Sequence, residues 1–149
     1  MKSVFYKDTR EEVVSRINSL NEASKAQWGK MTVTQMFRHC TLCEEYYYGN
    51  ISVKRSFLGR LLGKIAIKSI LKDDASGFRK NASTPPQFKV NEINLDFETE
   101  KANWKSFMEK YETFKSERFK HWFFGEMTKE QLGQFIYKHT DHHLRQFGV

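Results

Sequence analysis

Near its end the chain reads Tyr137-Lys138-His139-Thr140-Asp141-His142-His143-Leu144-Arg145-Gln146. His139 and His143 stand four residues apart. On a helix that spacing puts both rings on one face, about 5–6 Å from each other. Two imidazoles so placed can share a metal ion, each reaching it at about 2.0–2.1 Å. Leu132 and Ile136 lead into the pair at helical steps, so the pair continues an apolar stripe and is predicted to point inward, with His142 to the side. His39 has the same setting earlier in the chain, where Met36, His39 and Cys43 are spaced by three and four. One inward histidine from one helix and two from another can close a three-imidazole site in a bundle core. The expected site is one divalent ion on His39, His139 and His143. Three protein ligands leave coordination positions for water or substrate, which favours chemistry over a purely structural metal. The competing reading is three hydrogen-bonded core histidines, because such a pair also arises by chance in a chain with five histidines. Ligand imidazoles must be neutral, so binding is expected to weaken as pH falls through about 6.5.

Neighbouring signals carry less. Cys40 and Cys43 form a Cys-x-x-Cys, but in mid-helix with no preceding strand, so two small buried thiols are the favoured reading over a redox pair. Cys43 lies one turn from His39 and approaches the metal only in a minority reading. Thr140 follows His139 where a zinc protease needs glutamate, so that mechanism is excluded. His121 reads as a surface loop residue, with a contact to a metal ligand or to substrate as the alternative. Glu44 and Glu45 read as a solvated helix face, with ring orientation or base catalysis as the alternative. Tyr46, Tyr47 and Tyr48 cannot all face a core, so one is expected to line a cleft.

Five helical periods position these residues, and strand-like alternation is scarce. The first helix is expected from Thr9, with Glu12 completing a capping box and Val13, Ile17 and Leu20 buried. The second is expected from Thr32, capped by Gln35, and ends at Gly49-Asn50. The third runs from about Ser56 to Lys72, with Phe57, Leu58, Leu61, Leu62, Ile65 and Ile70 as its apolar side and Arg60, Lys64, Lys68 and Lys72 as a basic stripe. A long connection from Asp73 to Leu95 holds the only prolines, Pro85 and Pro86. The fourth helix begins near Asp96. The fifth begins at Thr128, with Gln131 in the capping place. The expected fold is all-α: a four-helix bundle of the first, second, fourth and fifth helices with a crossover connection, the third helix packed outside as a peripheral addition. Residues 1–149 are read as a single domain.

The 149 residues, 39% hydrophobic and 15% aromatic, can build one core and argue against disorder. No apolar run approaches the ~20 residues of a membrane span, and Met1 to Asp8 lacks a signal-peptide core. A cytoplasmic protein is expected. Two cysteines exclude a disulfide framework. The net charge of +7 permits anionic partners without choosing one. The basic stripe could meet nucleic acid or anionic lipid, but no helix-turn-helix signature or aromatic interleaving accompanies it, so no nucleic acid is favoured and a solvated face is expected. The third helix and the aromatic supply suggest more apolar surface than one small bundle buries, hence a homodimer.

The ending from His139 to Gln146 resembles the C-terminal helix signature of the DinB/YfiT-like superfamily. Met31-Thr32-Val33-Thr34-Gln35-Met36-Phe37-Arg38-His39 resembles the helix carrying that family's first histidine. His121-Trp122-Phe123-Phe124-Gly125-Glu126-Met127-Thr128 resembles the lead-in to its last helix. Leu144-Arg145-Gln146 departs from the family's usual arginine, glycine and glutamine. The resemblance implies a four-helix bundle with one zinc, nickel or iron ion on three histidines. It also implies thiol-dependent transferase or isomerase chemistry with a low-molecular-weight thiol partner. Two classes of function follow: a metal-dependent transferase or hydrolase acting on a small molecule, and a non-enzymatic metal or small-ligand binding protein on the same scaffold.

Overall fold

The computed structural model describes residues 1–75 and 77–149; Ser76, within the expected long connection, lies outside the described residues. Five helices dominate: α1 (Lys7–Ser19), α2 (Val33–Tyr47), α3 (Phe57–Ile70), α4 (Phe97–Lys110) and α5 (Lys129–Gln146). Two 3₁₀ turns, Pro86–Phe88 and Tyr111–Thr113, and two strands, β1 (Arg118–His121) and β2 (Gly125–Thr128), complete them. The fold is therefore mostly helical but not all-α. β1 pairs antiparallel with β2, from Arg118 opposite Thr128 to His121 opposite Gly125. Gly125 takes φ +80° at the tight end of this hairpin, a conformation that side chains with a Cβ disfavour. Among the described residues no helix is long and apolar enough to cross a membrane.

Local chemistry explains most helix starts. At Thr32 and Thr128 the hydroxyl accepts the backbone N–H of Gln35 or Gln131, whose amide oxygen accepts in return. These reciprocal caps satisfy two otherwise orphaned donors each. Ser56 and Asp96 cap α3 and α4 through single hydrogen bonds. The first helix departs from expectation. It begins at Lys7 after Tyr6, which makes no side-chain cap. Thr9 is buried inside the helix, and Glu12 reaches Lys2 instead of a backbone amide.

α1, α2, α4 and α5 supply most of the core: Val13 and Ile17, Met36 and Phe37, Trp104 and Met108, and Leu132, Ile136 and Leu144 are all essentially inaccessible. α4 packs on both α1 and α2, and α1 also touches α5. Arg16 on α1 pairs with Asp141 on α5 at 2.8 Å.

α3 packs outside, against the hairpin, and in the opposite sense to its apolar pattern. Its buried positions are Gly59, Gly63 and Ile67. Phe57, Leu58, Leu61, Leu62 and Ile65 face solvent. A Cβ at Gly63 would lie 2.2 Å from the Phe123 carbonyl oxygen, so the glycine side alone lets the helix backbone come this close. Ala66 and Ile70 complete its inner face and line a cavity beneath it.

Candidate metal centre

α2 and α5 face each other across a cavity of about 890 Å³. His39 and Cys43 enter it from α2, and His139, His142 and His143 from α5; Ala66, Ile70, Phe78, Phe88 and Phe124 make much of its apolar wall. The three histidines singled out by spacing meet here. The His39 ring lies 4.8 Å from that of His143 and 5.3 Å from that of His139, and the His139 and His143 rings are 4.7 Å apart. His39 and His143 are buried, while His139 keeps partial exposure.

The hydrogen bonds around the rings decide which nitrogens are free. His39 Nδ1 lies 2.8 Å from the carbonyl oxygen of Phe88. A carbonyl only accepts, so Nδ1 donates and Nε2 keeps its lone pair. His143 Nδ1 lies 2.9 Å from Gln146 Oε1. The Gln146 amide is oriented by its other end, whose Nε2 donates to the Trp28 carbonyl at 2.7 Å. Oε1 must then accept, and His143 also presents Nε2 as a lone pair. Such outer partners fix imidazole tautomers in metal sites.

Distances fit a shared ion for His39 and His139, whereas His143 stands outside the group of ligand atoms that lie close enough to share one. His39 Nε2 and His139 Nε2 are 3.4 Å apart. Two nitrogens each about 2.0–2.1 Å from a tetrahedral ion lie about 3.3–3.4 Å apart. Without an ion the same contact is an N–H donated by His139. Cys43 comes closer than the sequence suggested: the ligand atoms of His39, Cys43 and His139 all lie within 4.8 Å of one another. Its sulfur is 4.0 Å from His39 Nε2, beyond the roughly 3.5 Å of a sulfur and a nitrogen on one tetrahedral zinc.

The electrostatics favour neutral donors. Burial lowers the pKa of His39, partly offset by its bond to Phe88. Burial, then the neighbouring His143 and His39, holds His139 well below the usual histidine range. Burial and His39 push His143 down to about 3. The Cys43 thiol is pushed well up by burial and by Glu44, so it stays protonated unless an ion displaces the proton.

Other expectations change. His121 is not a surface loop residue. It ends β1, is 4% exposed and lines the same cavity. Its Nδ1 accepts the backbone N–H groups of Phe123 and Phe124 at 3.1 and 3.3 Å. Burial, with Arg55 nearby, lowers its pKa to about 3. The ring is thus neutral with its proton on Nε2. No spacing rule flagged it, because the hairpin places it. Glu44 is not on a solvated face: it is buried and accepts a hydrogen bond from the Tyr111 hydroxyl. Of the three consecutive tyrosines, Tyr46 and Tyr47 are buried and Tyr48 is half-buried against Tyr111 and Phe114; the Tyr46 oxygen accepts the Trp122 backbone N–H at 2.6 Å and so holds the hairpin turn. Cys40 and Cys43 are free and buried, as expected. His142 is half-buried beside the site, its ring 5.6 Å from that of Trp28.

Comparison with known proteins corrects the resemblance drawn from motifs. The family model that matches is not that of the DinB/YfiT-like superfamily, and its description, protein of unknown function, carries no activity. Short histidine motifs on amphipathic helices are shared too widely to decide membership. No curated protein and no solved structure matches the chain. The match runs from residue 2 to residue 148, nearly the whole sequence, and the chain therefore belongs to the DUF1569 family.

Proposed function

We propose that this protein is a divalent-metal-dependent enzyme acting on a small molecule with an apolar body, its metal held by His39, His139 and His143 between helices of a four-helix bundle. The observation that carries the reading is the 3.4 Å separation of the His39 and His139 nitrogens, with the neutral ring of His143 4.7–4.8 Å from both rings and the Nδ1 atoms of His39 and His143 committed to carbonyl acceptors. A bound divalent ion supplies Lewis acidity, lowering the pKa of water or a thiol brought to it. The chain's own residues do the rest. Phe88 and Gln146 hold the rings of His39 and His143. The apolar wall excludes water and accepts an apolar substrate body. His121 offers a neutral N–H to a substrate oxygen, a donor that stays protonated at Nε2 because its Nδ1 is already engaged. A non-enzymatic metal-binding protein uses the same ligands but has no need of His121.

The test is metal content by elemental analysis after purification without added metal or chelating resin, followed by calorimetric titration with zinc. His39→Ala, His139→Ala and His143→Ala are each expected to lower affinity sharply. His142→Ala and Cys43→Ser are expected to lower it far less. Proton competition is expected only well below pH 6.5, because burial depresses the ligands' pKa values. Unchanged metal content in all three alanine variants would make the histidines core residues. Loss in Cys43→Ser as severe as in His143→Ala would move the site to the His39–Cys43–His139 set.

A further inference from the structure

α3 presents two features side by side that the interior does not use. Phe57, Leu58, Leu61, Leu62 and Ile65 are 76, 54, 64, 47 and 69% exposed. At helical spacing the five fill one continuous arc of about 140°. This is no loosely attached helix. Its opposite side is seated on the hairpin, with the Ser56 backbone N–H donating to the Trp122 carbonyl at 3.0 Å. Arg55 donates to the carbonyls of Trp122 and Phe123, and Gly59 and Gly63 lie against the Phe123 backbone. The apolar arc is therefore held outward by packing on the other face.

The second feature is charge. Arg60, Lys64 and Lys68 run along one edge of the arc at helical steps, and all three are exposed, with Lys64 also donating to the Glu126 carbonyl of the hairpin. Between Ile51 and Lys72 there are six cations, Lys54, Arg55, Arg60, Lys64, Lys68 and Lys72, and no aspartate or glutamate. The carboxylates that follow, Asp73 and Asp74, lie beyond the end of the helix.

We infer that α3 is a docking face for an anionic lipid bilayer, lying flat in the headgroup region with Phe57, Leu61 and Ile65 in the acyl boundary and the flanking cations against lipid phosphates. Helices that lie in a membrane interface combine an apolar stripe with Lys and Arg beside it, and reversible binding takes both signals together. The alternatives each use only half of the surface. A nucleic-acid backbone meets the cations but leaves five large apolar side chains in water. A second copy covers the apolar arc but brings an identical basic row to a segment with no carboxylate to receive it.

The experiment is co-sedimentation of the full chain with vesicles of phosphatidylcholine alone and of phosphatidylcholine mixed with phosphatidylserine, at low and high salt. Binding is expected to the mixed vesicles, to fall with salt, and to be weak on phosphatidylcholine alone. Leu61→Ser/Ile65→Ser is expected to abolish binding. Arg60→Ala and Lys68→Ala are each expected to weaken it about fivefold. These four positions are exposed, and circular dichroism checks that each variant remains folded. The inference is overturned if the chain stays in the supernatant with both vesicle types, or if the serine variant binds as the parent does. It is also overturned if sedimentation shows a dimer that Leu61→Ser/Ile65→Ser dissociates, in which case a second copy occupies the face. None of these readouts depends on the metal centre.

Discussion

Glu44 offers a perturbation whose size follows from its surroundings. It is 1% exposed, and burial pushes its carboxyl up to about 8 from an ordinary 4.5. Across that interval the folded chain keeps the proton and the unfolded chain releases it. The stability this group contributes is full below about pH 4.5 and is lost as pH rises to about 8. At 1.36 kcal/mol per unit the loss is about 4–5 kcal/mol. The buried histidines act in the opposite sense. His121 and His143 are held at about 3 against an ordinary 6.5, so their contribution is full above about pH 6.5 and is lost as pH falls to about 3. The two effects oppose each other between about pH 4.5 and 6.5, and Glu44 dominates the slope from there to about 8. Glu44→Gln preserves the shape and an oxygen to accept the Tyr111 hydroxyl, but removes the titration. Urea denaturation of parent and variant at a series of pH values reads the difference. The variant should match the parent within about 1 kcal/mol near pH 5 and exceed it by up to about 4 kcal/mol above pH 8. Parallel stability curves would refute the assignment of Glu44 as a buried, neutral carboxyl.

Two further outcomes test the site and the packing of α3. Gln146→Leu removes the acceptor of His143 Nδ1 and is expected to weaken zinc binding about 10- to 100-fold by calorimetry; unchanged affinity would show that this amide does not set the His143 tautomer. Gly63→Ala places a methyl group against the Phe123 carbonyl oxygen and is expected to cost about 1–3 kcal/mol in thermal unfolding, whereas a melt identical to the parent's would mean that α3 lifts away freely.

The helices were legible where a cap and a period coincide. Thr32 with Gln35 and Thr128 with Gln131 satisfy backbone donors locally, within one turn, and both boxes form as their residues predict. The start of α1 was not, because Thr9 is drawn into the core and the helix extends back to Lys7. The hairpin was missed because each strand has only four residues, too few for alternation to stand out. Its turn is a run of bulky aromatics rather than a polar pair.

What the sequence by itself determined is what one helix can specify: that His139 and His143 share a face, that this face continues the stripe of Leu132 and Ile136, and that α3 is amphipathic. These follow from helical spacing alone. The tertiary structure alone decided the rest. Whether His39 comes within reach of His139 and whether Cys43 joins them depend on how α2 and α5 pack, and which ring nitrogens stay free depends on the carbonyl of Phe88, from outside α2, and that of Trp28, which orients the Gln146 amide against His143. The third helix shows the reason most plainly. Periodicity reports how apolar side chains are distributed around a helix, but burial depends on what the neighbouring chain can approach. Here the hairpin backbone approaches the side that has no side chains at Gly59 and Gly63, and the apolar arc is left facing outward.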